Sequence, residues 1–119
     1  MRIHHVALRV DDCERSAAFY SRVLGLPERR RLVEGAALRA IWLEADGVLL
    51  MLERALRGGA GEAGSGHLLA FAIEDLVEWE GRLAAAGVAV EDRTSSTLYV
   101  RDPDGHRVGL SNYRPDAHD

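Results

Sequence analysis

Two histidines with matching surroundings carry the strongest chemical signal in this sequence. His5 opens the run His5-Val6-Ala7-Leu8-Arg9-Val10, and His67 opens His67-Leu68-Leu69-Ala70-Phe71, 62 residues later. Imidazole is the commonest nitrogen ligand for first-row metals, so two histidines at equivalent places in a repeat raise a metal site. A single strand histidine more often serves structure. Lysine is absent and all fifteen basic residues are arginine, which excludes Schiff-base chemistry on lysine. The only basic run, Arg29-Arg30-Arg31, reads as a solvated strand or loop more readily than as an anion site. Cys13 stands at a helix start, where a thiol pKa can fall. Its place on the apolar stripe of that helix assigns it instead to the core.

The elements that must position these residues repeat along the chain. Alternation over residues 2–10 predicts a strand with His5, Ala7 and Arg9 on one face and Val6, Leu8 and Val10 on the other. Asp11 with Glu14 offers a capping box, Cys13, Ala17, Tyr20 and Leu24 follow at helical spacing, and Gly25 ends the helix. Strand-like runs follow near 28–34, 37–45 and 47–54, the last two joined by Asp46-Gly47, a hairpin signal. Residues 55–66 hold five glycines and read as a linker. The pattern then restarts. A strand from His67 to Ile73 precedes a helix capped by Asp75, carrying Leu76, Trp79, Leu83 and Ala86 and ended by Gly87. Runs at 88–93, 96–102 and 106–113 complete it, with Asp102-Pro103-Asp104-Gly105 as a turn.

The expected fold is therefore α+β, a tandem repeat of βαβββ modules over residues 1–119: module 1 about 1–54, the linker 55–66, module 2 about 67–113, and a short tail 114–119. An offset of 62 sets His5 on His67, Asp12 on Glu74 and Gly25 on Gly87, while the two Asp-Gly turns correspond at 58. A module of about 55 residues is marginal alone, so each half should lean on the other or on a second subunit.

Composition narrows the partners. Apolar residues make up 47%, enough for a core, and no stretch is long enough to cross a bilayer. The net charge of −4 argues against nucleic acid or an anionic membrane surface. The opening Met1-Arg2-Ile3-His4-His5 lacks the apolar run of a signal peptide, and one cysteine asks for no oxidising compartment. A cytoplasmic location is expected.

Taken together, His5 through Asp12, Ser16 through Leu26, Gly66 through Phe71 and Tyr99 through Gly105 resemble the vicinal oxygen chelate superfamily of glyoxalase I, extradiol dioxygenases, and fosfomycin and bleomycin resistance proteins. The resemblance implies curved mixed sheets forming an open barrel with the helices outside, and a small oxygen-rich substrate or ligand in the resulting cup. It also implies a divalent metal (Fe, Ni, Zn or Mn) where one is bound. His5 and His67 fall on the family's histidine positions. The usual glutamate positions, counted from each Asp-Gly turn, are Met51 and Gly109, neither of which supplies a side-chain oxygen. Glu53, two residues beyond Met51 on the same strand face, would complete a two-histidine, one-carboxylate metal set, and is the only local candidate for a catalytic base. A glutamate lost at Gly109 makes genuine glyoxalase I activity unexpected. Arg9, Trp42, Phe71, Tyr99 and Arg101 are the candidates for substrate binding, an arginine in such a cup being suited to grip a carboxylate or phosphonate.

Three functions stay open. The first is a metal-dependent enzyme of glyoxalase or dioxygenase type, held by His5, Glu53 and His67. The second is a metal-free binding or antibiotic-resistance protein that sequesters a small molecule among aromatic side chains. The third is a non-catalytic accessory subunit. A homodimer is expected, because short relatives pair and open sheet edges favour burial against a second copy.

Overall fold

The computed structural model describes residues 1–56 and 66–114, so most of the expected linker and tail lies outside the described residues. The chain forms two compact units, Met1–Glu62 and Ala63–Asp119. In the first, β1 (His5–Arg9) leads to α1 (Cys13–Ala17), which continues as a π-helical segment (Ala18–Val23) into β2 (Glu28–Glu34), β3 (Ala37–Ala45) and β4 (Val48–Glu53). The second repeats the order with β5 (Leu69–Ala72), α2 (Leu76–Ala85), β6 (Asp92–Arg93), β7 (Thr97–Arg101) and β8 (Arg107–Ser111). Each unit has one mixed four-stranded sheet, ordered β1-β4-β3-β2 or β5-β8-β7-β6, its first strand parallel to its last. This is the α+β, βαβββ repeat that the sequence predicts. No helix among the described residues is long and apolar enough to cross a membrane.

Residues paired across a ladder share a face, and each sheet therefore sorts its side chains cleanly. In the first unit, Ile41, Leu43, Leu50 and Leu52 are buried together with Val10, Phe19 and Tyr20. The Cys13 thiol points at the carbonyls of Arg39 and Leu52, 3.6 and 3.8 Å away, fixing α1 against β3 and β4. In the second unit Leu98, Val100, Val108 and Leu110 are buried along with Leu83 of α2. Burying each such aliphatic side chain contributes about 1.5–3 kcal/mol, and this layer holds the helix to its sheet. The opposite, helix-free face of each sheet is left for other uses.

The two units are not in the register that the glycine stops suggest. The helix N-caps are Asp12, rather than the expected Asp11, and Asp75, which stand 63 residues apart. The bond from Val10 N–H to the Glu53 carbonyl recurs as Ile73 N–H to the Ser111 carbonyl, again 63 apart on the first strand and 58 on the last. Yet Gly25 and Gly87, both at positive φ, are 62 apart. The first helix holds one more residue than the second, and it absorbs that residue by widening. Leu24 N–H bonds to the Phe19 carbonyl five residues back, the π-helical spacing. The second helix has no such segment and closes with Val88 N–H on Leu83 and Gly87 N–H on Ala84, a Schellman stop.

This one-residue insertion reassigns every equivalence upstream of it. On the strands His67 is the counterpart of His4, and the counterpart of His5 is Leu68.

Candidate functional site

The helix-free face of the first sheet is built in rows. His5 stands beside Leu49 and Glu44; Ala7 beside Met51, Trp42 and Arg30; Arg9 beside Glu53, Ala40 and Leu32. The second sheet repeats the middle row as Ala70, Gly109, Tyr99 and Asp92. Trp42 and Tyr99 are thus equivalent, each at the centre of its sheet, and so are Met51 and Gly109.

Each expected site residue now has a place. His5 is exposed at the start of β1, its Nδ1 2.8 Å from Nδ1 of His4, the rings meeting edge to face. Glu53 ends β4 on the same face as His5, half-buried and paired across the ladder with Arg9. The β1–β4 and β3–β4 ladders run without a bulge, so Met51 keeps its row and Glu53 lies one row further along. Arg9 bridges Asp11 at 2.6 Å. Arg101 is engaged by Glu91 at 2.9 Å and donates to the Gly105 carbonyl, which ties it to the turn before β8. Phe71 pairs with Leu110, itself paired with Leu98, and so belongs to the layer beneath α2. His67 lies two residues before β5, where strand alternation groups it with Leu69 and Phe71.

The neighbour of His67 occupies the helix-free face. Both methyl carbons of Leu68 lie 3.7 Å from the point where a side chain on Gly109 would begin, and the Ala70 methyl lies 3.4 Å from it. At the two second-unit positions corresponding to His5 and Met51, the chain therefore carries a hydrocarbon side chain folded over a bare Cα. Leucine and glycine offer no side-chain ligand atom, so these residues do not fit a divalent metal at this place. Among the described residues, no three His, Cys, Asp or Glu side chains are grouped to hold one.

Two residues that sequence reasoning passed over flank the aromatic rings. The Arg30 guanidinium lies 5.7 Å from the Trp42 ring centre, and that of Arg107 lies 6.0 Å from Tyr99. The basic run that looked uniformly solvated divides three ways: Arg29 bridges Glu44 at 3.0 Å, Arg31 holds both Glu14 and Glu28, and Arg30 turns to the tryptophan. A register for β2 against β3 would have revealed this, but two irregularities, between Glu28 and Arg30 and between Leu32 and Val33, break the alternation there. The Trp42 indole N–H is buried and has no acceptor among the described residues. Such an orphaned donor costs about 1–3 kcal/mol.

Cys13 takes no part in the site. It is 3% exposed, and burial pushes its thiol up, away from the thiolate that nucleophilic chemistry requires.

The model of the Glyoxalase/Bleomycin resistance protein/Dioxygenase superfamily matches residues 2–110. The chain is 30% identical over 115 residues to the glutathione transferase FosA of Serratia marcescens, an alignment covering 91% of this chain and 78% of that protein. Among solved structures, a lactoylglutathione lyase from Agrobacterium tumefaciens is similar with a TM-score of 0.74 and 24% identity, over 92% of each chain. TnmS3, an antibiotic binding protein from a Streptomyces species, is similar with a TM-score of 0.74 and 22% identity, over 93% of this chain and 94% of that one. These last two likenesses are of fold.

Proposed function

The chain belongs to the glyoxalase/bleomycin resistance protein/dioxygenase superfamily, and from that premise we propose that it is a metal-independent binder of small molecules. One observation carries the reading: Leu68 lies over Gly109 at the second-unit positions that match His5 and Met51. A metal enzyme of this fold needs nitrogen and oxygen donors at such positions, and here they hold hydrocarbon and hydrogen. Rings capped by guanidinium groups, Trp42 with Arg30 and Tyr99 with Arg107, supply contact area and polarity for an organic ligand instead. TnmS3, similar in fold, is an antibiotic binding protein, a use of this fold that agrees with the reading. A two-fold dimer of the chain belongs to the same proposal.

Calorimetric titration with a panel of small planar aromatic compounds, with and without EDTA, tests it. Trp42→Ala and Tyr99→Ala lower affinity, whereas His5→Ala, His67→Ala and EDTA leave it unchanged. Binding that EDTA abolishes would sink the reading.

The second reading is a metal-dependent reaction on iron, nickel, zinc or manganese. His5 stands on the helix-free face where a ligand would be wanted, but Glu53 lies two rows from it and His67 alternates onto the other face of its own strand, so neither sheet assembles the expected three-ligand set. It requires both histidines and a stoichiometric metal.

A further inference from the structure

We infer that the ligand of the first unit is a planar aromatic anion, its ring laid beside Trp42 and its negative oxygen taken by Arg30. This rests on the binding reading above and adds the chemical class. Arg30 is held only loosely. At 5.7 Å from the ring centre it sits near the outer limit of a cation–π contact, about 6 Å, and it has no carboxylate partner among the described residues. Its neighbours are already spent, Arg29 on Glu44 and Arg31 on Glu14 and Glu28. In a chain of net charge −4, a guanidinium left facing an aromatic side chain is a local reversal of sign that an anion would seek.

The surroundings of Trp42 suit a flat guest. Ala7 in the same row is small and Met51 between them is unbranched and adaptable. The carboxylates of this face do not contradict the choice: Glu44 is neutralised by Arg29, and Glu53 lies in the next row beside Arg9. The second unit repeats the motif less favourably, because Asp92 stands in the same row as Tyr99 and would repel an anion. The first unit is therefore the anion site.

Three probes of one shape and different charge decide the matter: 2-naphthoate, neutral 2-naphthamide and a cationic 2-naphthyl trimethylammonium salt. Affinities come from calorimetry, and the indole N–H resonance of Trp42, isolated in a Trp79→Phe background, reports the place of binding. Naphthoate binds tighter than the amide by about tenfold, the order of one charge-assisted hydrogen-bonding pair, and the cation binds more weakly than the amide. Arg30→Gln brings naphthoate down to the amide's affinity without altering the amide, and Trp42→Leu weakens both. Equal affinities for all three probes, still dependent on Trp42, would overturn the anion inference while leaving the binding reading standing. No binding by any probe and no shift of the indole resonance at millimolar concentration would overturn both.

Discussion

The side chain of Leu68 lies over the Cα of Gly109, its two methyl carbons 3.7 Å from the point where a side chain at that position would begin. Leu68 precedes β5, Gly109 sits in β8, and the parallel ladder between those strands brings them together. A Cβ alone fits at 109, at 3.4 Å from the Ala70 methyl, but the leucine covers the space that a longer side chain there would enter.

The pair can be exchanged together. Leu68→His/Gly109→Glu puts an imidazole and a carboxylate on one face of adjacent strands, and the Cβ added at 109 meets only ordinary contacts, at 3.4 Å or more. The double variant is expected to fold and to bind Zn²⁺ or Ni²⁺ more tightly than the parent at equilibrium, two donors being too few to hold the ion through desalting. Calorimetric titration with each ion, beside a thermal melt to establish folding, checks it. A folded double variant that binds neither ion more tightly than the parent would count against the assignment of these positions.

The π-helical segment yields a prediction of tolerance. Deleting Arg22, an exposed residue within it, leaves the first helix with the same number of residues as the second and lets it close as an ordinary α-helix. The cost should stay within about 2 kcal/mol by denaturant unfolding, well below that of a disrupted core. Deleting Arg82, which has no widened turn to absorb the loss, should cost far more by rotating Leu83 out of the core.

Cys13 should be inert in the native state. Its thiol is buried, raised by desolvation and aimed at two carbonyls. Labelling by an exposed-thiol reagent is expected to be slow in buffer and rapid in denaturant, with the native rate tracking unfolding. Fast labelling of the folded chain would contradict the burial of α1 against β3 and β4.

Acid should loosen both units through exposed ion pairs. The Arg31 guanidinium hydrogen-bonded to Glu14 holds that carboxyl below its usual range, and Arg93 does the same for Glu80. A carboxyl with a depressed native pKa contributes stability that is present above its unfolded value, near about 4.3, and is lost as pH falls through the native value. The melting temperature is expected to drop below that pH, and Glu14→Gln/Glu80→Gln to flatten the drop. Because both carboxylates are exposed, added salt should shrink the effect as well.

The repeat, the element order and most of the core faces were legible in the sequence, because period-two and helical spacings of apolar residues are set by the same burial that the fold completes, although Ala86, expected on the apolar stripe of the second helix, is exposed. The site was less legible, for a physical reason located in one helix. Gly25 and Gly87 are real helix stops, but an alignment drawn through them carries the extra residue of the first helix into the strands, where one residue turns every side chain to the other face. That places His5 on His67. The strand pairings place it on Leu68. Arg30 escaped notice because it stands between two arginines engaged elsewhere, on a strand whose register shifts twice. Trp42 and Tyr99 were found, since their central strands alternate without interruption.

The most direct test of the account is the metal content of protein purified without chelator, measured after Fe²⁺, Ni²⁺, Zn²⁺ and Mn²⁺ have each been added back and the excess removed. Metal independence predicts well under one equivalent of any of them, unchanged by His5→Ala or His67→Ala. Close to one equivalent of a single metal, lost in both variants, would contradict it and restore a metal-dependent reaction as the function.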